Sequence, residues 1–326
     1  MTAAPLLSVR DLSVSFNDRF TAVREASFDI HPGELVGVVG ESGSGKSVSA
    51  LAVMGLLPPT AKVTGSIHFQ GRDLLALPRR ELRKLRGRDI GIIFQEPMTS
   101  LNPVFTIGDQ IAEAIRVHSP MSKKAAWDRA TELLEQVGVP APRRRLLDYP
   151  HQLSGGLRQR VMIAIALSSS PKLLIADEPT TALDVTIQAQ LLDLLNKLRQ
   201  DFGTAILLIT HNMGVMAEVA DRVVVMYASR IVEQASIFDL FDRPQHPYTS
   251  GLLGSTPELD GEAHRLRTIA GAMPNPAELP PGCLFAPRCP KAVPACLEMQ
   301  PPLLPVTPAQ SAACIRAPGL ASEGAR

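Results

Sequence analysis

Glu34-Leu-Val-Gly-Val-Val-Gly40-Glu-Ser-Gly-Ser-Gly-Lys-Ser47-Val-Ser-Ala-Leu-Ala-Val-Met54 decides the fold. The apolar run up to Val39 reads as a buried strand, and the residues from Ser47 to Met54 read as a helix. Between them, Gly40-x-x-x-x-Gly45-Lys46-Ser47 fits the phosphate-loop pattern G-x-x-x-x-G-K-[ST] at every fixed position. Glycines let backbone N–H groups turn toward a phosphate without a Cβ in the way. The helix start adds its positive dipole end. Lys46 is expected at the β- and γ-phosphates of a nucleotide and the Ser47 hydroxyl on Mg²⁺. A Gly-rich turn that binds nothing competes with this reading, and the flanking strand and helix disfavour it.

Leu173-Leu-Ile-Ala-Asp177-Glu178 is an apolar strand tipped by two acids. Asp177 is placed to hold Mg²⁺, directly or through water, and Glu178 to polarise an attacking water. Taken alone, the same segment reads equally well as a buried strand ending in solvated acids. A helix over Val185–Arg199 follows, with Ile187, Leu191, Leu194, Leu195 and Leu198 on one face. Ala205-Ile-Leu-Leu-Ile-Thr-His211 then reads as a second strand. A strand–helix–strand crossover makes the two strands parallel and puts His211 at the same carboxyl edge, where ligands of such sheets bind. There His211 can contact a γ-phosphate and orient Glu178 or the water.

Leu153-Ser-Gly-Gly-Leu-Arg-Gln-Arg160 opens a helix over Arg158–Ser168. Ser154 can cap it or bind an anion, and the glycines expose N–H groups at its start. Spacing alone leaves an ordinary capped helix start equally open.

The set resembles the ATP-binding subunits of ABC transporters over nearly the whole chain, with the motifs in the family's order. The resemblance implies an α/β P-loop NTPase: a RecA-like core, an antiparallel β subdomain and a helical subdomain carrying the signature. Gly40–Ser47 corresponds to the Walker A motif, Gln95 in Ile92-Ile-Phe-Gln-Glu-Pro97 to the Q-loop glutamine, and Leu153–Gln159 to the signature. Leu173–Asp177 corresponds to Walker B, Glu178 to the catalytic glutamate, Asp184 to the D-loop aspartate and His211 to the switch histidine. It implies ATP contacts from Gly40, Ser42, Gly43, Gly45, Lys46, Ser47 and Val48. Contacts to a partner's ATP are implied for Ser154, Gly155, Gly156, Gln159 and Asp184, and Mg²⁺ ligation for Ser47, Gln95 and Asp177. Phe16, with Phe20 as the alternative, is the expected adenine platform. In such a family each signature closes on the ATP of a second cassette, so the chain is expected to pair with a homologous ATP-binding subunit.

The 326 residues carry 33 Lys and Arg against 32 Asp and Glu, a net charge of +1. That is enough chain for more than one domain and not the balance of a nonspecific nucleic-acid binder. No run of about 18 apolar residues offers a membrane span, and Met1–Ser8 lacks the build of a signal peptide. The expected place is the cytoplasmic face of the inner membrane, docked on two permease subunits, with a solute-binding protein as an indirect partner and no nucleic acid. A DNA- or ribosome-acting ABC ATPase is disfavoured, because the chain has one cassette and no long heptad run. A nucleotide-binding pseudo-ATPase is disfavoured by Glu178 and His211.

Helical spacing over Asp109–Val117 and Lys123–Val137, interrupted by Pro140–Arg145, places a helical subdomain at about 96–168. Arg222–Tyr227 and Arg230–Glu233 read as a hairpin, ending an ATPase domain over 1–235. From 236 to 326 the chain is Pro-rich and holds all four cysteines, Cys283, Cys289, Cys296 and Cys314. Disulfides suit a cytosolic protein poorly, and zinc modules usually carry C-x₂-C knuckles, absent here. A 4Fe–4S cluster also takes four thiolates, and unrelated free thiols are the remaining reading. Pro244-Gln-His-Pro-Tyr-Thr249 and Gly282-Cys-Leu-Phe-Ala-Pro-Arg-Cys-Pro290 look like the C-terminal extension of the oligopeptide/dipeptide importer ATPases, a group that includes nickel and glutathione importers. Gln95-Glu-Pro-Met-Thr-Ser-Leu-Asn-Pro103 fits it too. That resemblance implies peptide cargo, with nickel, glutathione or another small solute as alternatives, and a 4Fe–4S cluster with zinc second.

Overall fold

The structure, a computed structural model, describes residues 4–17, 19–95, 100–180, 184–255, 268–276 and 278–317. It partitions into two compact units. Unit 1 is Met1–Leu6, His31–Glu34 and Ala76–Ile209; unit 2 is Leu7–Ile30, Leu35–Leu75 and Thr210–Arg326.

Unit 2 opens with β1 (Leu7–Phe16), β2 (Phe20–Ile30), β3 (Leu35–Val39), α1 (Lys46–Met54), β4 (Ala61–Phe69) and β5 (Arg72–Asp73). Four of these strands form an antiparallel sheet in the order β2-β1-β4-β5. On β1 the buried positions are Leu7 and Val9, then Leu12 and Val14. A register shift between Val9 and Leu12 accounts for the change of phase, and Asp11 takes a φ of 50° there. The bulge turns Asp11 outward and returns the apolar side chains to one face.

Unit 1 contains α2 (Arg79–Leu85), β6 (Ile90–Ile93), α3 (Ile107–His118), α4 (Lys123–Gln136), α5 (Pro142–Arg145), α6 (Gly155–Ala166), β7 (Leu173–Asp177), α7 (Val185–Phe202) and β8 (Ala205–Thr210). Strands β6, β7 and β8 are parallel neighbours, with Ile93 opposite Ala176 and Asp177 opposite Ile209. Every residue of β7 and β8 is buried, as expected of a parallel sheet covered on both faces. Helices α3, α4 and α6 pack on one another. Their starts obey side-chain capping: Thr106 accepts from the Asp109 N–H, Ser122 from the Ala125 N–H and Ser154 from the Leu157 N–H. The signature helix therefore begins at Gly155, three residues earlier than expected. Pro140–Arg145 is more than an interruption: Ala141, at φ 52°, leads into α5 with Pro142 in its first turn, where a missing N–H costs nothing. On α7, Leu191, Leu192, Leu194, Leu195 and Leu198 form the buried face. Ile187 is only half-buried.

Back in unit 2 come α8 (Met213–Val219), β9 (Arg222–Tyr227), β10 (Arg230–Ser236), α9 (Ile237–Asp242), α10 (Pro247–Gly254), a 3₁₀ turn (Ala286–Arg288), α11 (Ala295–Glu298), β11 (Leu304–Thr307) and β12 (Gln310–Ala312). β9 runs parallel to β3 and forms the expected antiparallel hairpin with β10. The cysteine-bearing segment then adds β12 antiparallel to β10, and β11 to β12. A buried carboxylate reinforces the join. Glu233 on β10, fully inaccessible, accepts the Gln245 and His246 backbone N–H groups at 2.8 Å each and the Gln310 Nε2–H at 2.9 Å. Among the described residues no helix is long and apolar enough to cross a membrane.

Candidate functional site

In unit 2 the phosphate loop sits where its sequence requires glycine. Gly40 has φ 154° and Gly45 φ 103°. A Cβ on Gly40 would stand 2.1 Å from the Met226 carbonyl oxygen, and one on Gly45 2.4 Å from that of Ala22. The loop is thus pressed between β9 and β2 backbone. Lys46 is buried, and its Nζ donates to the carbonyls of Gly40 at 2.8 Å and Glu41 at 2.9 Å. Ser42 and Gly43 are exposed, while Ser47 and Val48 are half-buried on the first turn of α1. Phe16 and Phe20, weighed above as alternatives, are a pair: their rings stack at 5.4 Å and 24° across the β1–β2 turn. His211 is exposed one residue beyond β8.

The loop is also gripped by the tail. The Glu41 N–H donates to Tyr248 Oη at 2.9 Å, and the Glu41 carboxylate accepts from Arg288 Nη1 at 2.9 Å. Arg288 further donates to Tyr227 Oη at 3.3 Å and to the carbonyls of Ala270 at 2.9 Å and Ile269 at 3.3 Å. Burial opposes the charge on Arg288, yet Glu41 and the Tyr227 hydroxyl hold its pKa above the ordinary value. Burial raises the Tyr248 pKa, keeping the phenol neutral.

In unit 1 the acid-tipped strand ends as expected. Asp177 is the buried last residue of β7. Glu178 follows with a φ of 46°, its N–H donating to the Ile209 carbonyl at 2.8 Å. A left-handed, non-Gly residue at a strand end is a strained conformation of the kind found at functional sites. Gln95, two residues beyond β6, donates from Nε2 to Glu178 Oε2 at 3.1 Å. Adjacent parallel strands thus bring together two residues far apart in sequence. Asp184 caps α7, accepting the Ile187 N–H at 2.9 Å.

At the signature, Gly155 faces open space, whereas a Cβ on Gly156 would lie 3.3 Å from Ile187 Cγ2. Ile187 accordingly lies against the signature helix rather than the sheet. Arg160 ties α6 to α7 through Gln190 Oε1 at 2.8 Å. Gln159 is only 3 % exposed and is not presented at the helix start. Residues 96–99 of the Q-loop segment and 181–183 before Asp184 lie outside the described residues.

The four cysteines are free thiols. They arrive from separate turns of the tail and line one narrow cavity together with His246, Phe285 and Pro301. Burial, reinforced by the neighbouring thiols, pushes Cys283, Cys289 and Cys314 above the usual thiol pKa. Among the described residues no group of three or more His, Cys, Asp or Glu is close enough to hold one metal ion. The thiols line a common space in which, among the described residues, no single-ion site is formed.

A sequence model described as ABC transporter matches residues 23–181, and one described as Oligopeptide/dipeptide transporter, C-terminal region, matches residues 232–296. The oligopeptide transport ATP-binding protein AppD of Bacillus subtilis is 54% identical over 304 residues, covering 92% of this chain and 93% of that protein. The chain belongs to the ABC transporter family.

Its relatives within the family include the oligopeptide transport ATP-binding protein OppD of Escherichia coli, 50% identical with 96% of this chain and 94% of that protein covered. OppD of Mycobacterium bovis is 55% identical over 96% of this chain, which spans about half, 52%, of that longer protein. Among solved structures, a dimeric ATP-binding cassette in a post-hydrolysis state bound to ADP and Pi matches with a TM-score of 0.64 at 28% identity. It covers 71% of this chain and 98% of its own. The ABC transporter match contains the phosphate loop, Gln95, the signature and the Asp177–Glu178 strand end. The second match contains Tyr248, Arg288, Cys283, Cys289 and Cys296. Sequence reading missed Glu41, Tyr248 and Arg288 as site residues. Their sign was an arginine and a tyrosine set among prolines in a tail that otherwise lacked periodic structure.

Proposed function

We propose that the chain binds MgATP and hydrolyses it to drive import of di- or oligopeptides through a bacterial ABC transporter. The observation that carries this is similarity at 50–55% identity, over nearly the whole chain, to oligopeptide transport ATP-binding proteins. The boxed phosphate loop supports it, as does the Gln95–Glu178 contact at the end of a buried parallel strand. Lys46 and the loop N–H groups bind the phosphates, and Ser47, Asp177 and Gln95 hold Mg²⁺. Glu178 polarises the attacking water, Gln95 and His211 orient the reacting groups, and Phe16 with Phe20 supports the adenine. Ser154, Gly155, Gly156 and Asp184 serve the ATP of a second, homologous ATP-binding subunit, while the buried Gln159 drops out of that contact set.

The assembly places the chain at the cytoplasmic face of the inner membrane as a peripheral subunit of two permeases, supplied by a solute-binding protein. The test is ATP hydrolysis by the complete transporter in liposomes, with peptide-loaded binding protein as stimulant. Peptide-stimulated turnover with peptide uptake is expected; stimulation by nickel or glutathione instead would transfer the cargo to those solutes. Turnover stimulated by DNA or ribosomes would overturn the transport reading.

The tail is proposed to hold a 4Fe–4S cluster on Cys283, Cys289, Cys296 and Cys314. All four thiols line one cavity, and four thiolates are the ligand set such a cluster takes. Such a cluster would staple an extension with little periodic structure of its own. Protein purified without oxygen should contain iron and acid-labile sulfide; zinc alone, or neither, would sink this assignment.

A further inference from the structure

We infer that Tyr248 and Arg288, both beyond residue 236, are positioning residues that set the shape of the phosphate loop. The inference rests on the ATP reading above and extends the nucleotide machinery into a segment to which that reading gave no such role.

Glu41 is the first variable residue of the loop. Its backbone N–H and its carboxylate are each held by a different tail residue, Tyr248 at 2.9 Å and Arg288 at 2.9 Å. The two grips lie 40 residues apart in the tail (288 − 248) and meet on one loop residue. Both are rigidly backed. Tyr248 is wholly buried and Phe285 nearly so; their rings lie 4.6 and 5.2 Å from that of Tyr227 and 5.5 Å from each other, centroid to centroid. The Arg288 side chain is only 6 % exposed. It lies over the Tyr227 ring at 5.7 Å and is fixed by the carbonyls of Ala270 and Ile269. A guanidinium so enclosed has lost its rotamer freedom before it meets Glu41. On the loop side, the Glu41 carbonyl accepts from Lys46 Nζ. Fixing Glu41 therefore fixes one of the two carbonyls that hold the phosphate-binding lysine. Met273 reaches the same loop, its Cε lying 3.1 Å from the place of a Cβ on Gly43. A phosphate site works through preorganised N–H groups, so loosening Glu41 lowers affinity without touching a group that contacts nucleotide.

The experiment uses the full chain. Hydrogen exchange over residues 40–47 reads the loop, and MgATP affinity reads the consequence. Arg288→Ala should speed loop exchange and weaken MgATP binding roughly tenfold, the size of one buried charge-assisted hydrogen bond. Arg288→Lys should recover part of the loss. Tyr248→Phe, which removes one oxygen and preserves the packing, should speed exchange at the Glu41 amide and weaken binding several-fold. Combining Glu41→Gln with Arg288→Ala should be no worse than Arg288→Ala alone. In the assembled transporter, KM for ATP should rise while kcat changes little. Native-like exchange and affinity in folded Arg288→Ala would overturn the inference. If that variant does not fold, native-like exchange in Tyr248→Phe overturns it. Wild-type chain that binds no MgATP sinks the function proposed above, and the loop exchange still decides the inference.

Discussion

Glu178 carries a strained backbone and a hydrogen bond from Gln95, and it stands beside the buried Asp177 at the mouth of β7. Glu178→Gln keeps the shape and removes the proposed base. ATP binding should persist, and turnover in the assembled transporter should fall by roughly a hundredfold or more, the scale of general-base catalysis. Retained turnover would take Glu178 out of the reaction. His246 makes a pH prediction. Burial lowers its pKa to about 3, and its Nδ1 accepts the Tyr248 N–H at 3.1 Å. The folded chain thus keeps the ring neutral where the unfolded chain, with an ordinary pKa of about 6.5, takes a proton. Stability from this residue is full above about pH 6.5 and drains as pH falls toward 3, by about 1.4 kcal/mol per unit. Between pH 7 and 5 that is a loss of roughly 2 kcal/mol. His246→Asn can retain the acceptor and should flatten this acid slope in denaturant titrations at a series of pH values. An unchanged slope would refute the assignment.

Among the elements, the join between the ATPase sheet and the tail is the least expected. β12 pairs with β10 through Glu233↔Ala312 and Gln234↔Ser311, and Glu233 gathers donors from the turn before α10 and from β12. Burial raises the Glu233 pKa, and the hydrogen bonds from Gln245, His246 and Gln310 pull the other way. Glu233→Ala would leave two buried backbone N–H groups unpaired and should cost about 3 kcal/mol. The measurement is guanidinium unfolding of the full chain. A loss below about 0.5 kcal/mol would mean the tail is held elsewhere. Helices α3, α4 and α7 were legible in advance because each has a capping residue and an apolar period; α6 is apolar nearly all round, and its start was not. β11 and β12 were not, because strands of four and three residues, Leu304–Thr307 and Gln310–Ala312, are too short to show a period.

For the chain as a working subunit, the phosphate loop and the exposed signature glycine Gly155 are proposed to serve different ATP molecules. MgATP should therefore drive the Glu178→Gln chain to pair with its homologous subunit. Analytical ultracentrifugation would show a two-cassette species that disappears when ATP is withdrawn. A monomer at saturating MgATP, with the partner present, would count against the shared-site reading.

The motifs were readable from local order. Gly40–Ser47, Asp177–Glu178 and Leu153–Arg160 each need a fixed residue pattern within one strand end or helix start, and such patterns survive in a linear text. The contacts that tune them were not readable. Gln95 reaches Glu178 because β6 and β7 are neighbours. Phe16 and Phe20 became one stacked pair because the hairpin register sets them opposite each other. Tyr248 and Arg288 reach Glu41 because packing around Tyr227 and Phe285 folds a proline-rich tail onto the loop. Long-range pairing of this kind follows from register and packing, which no window of sequence contains.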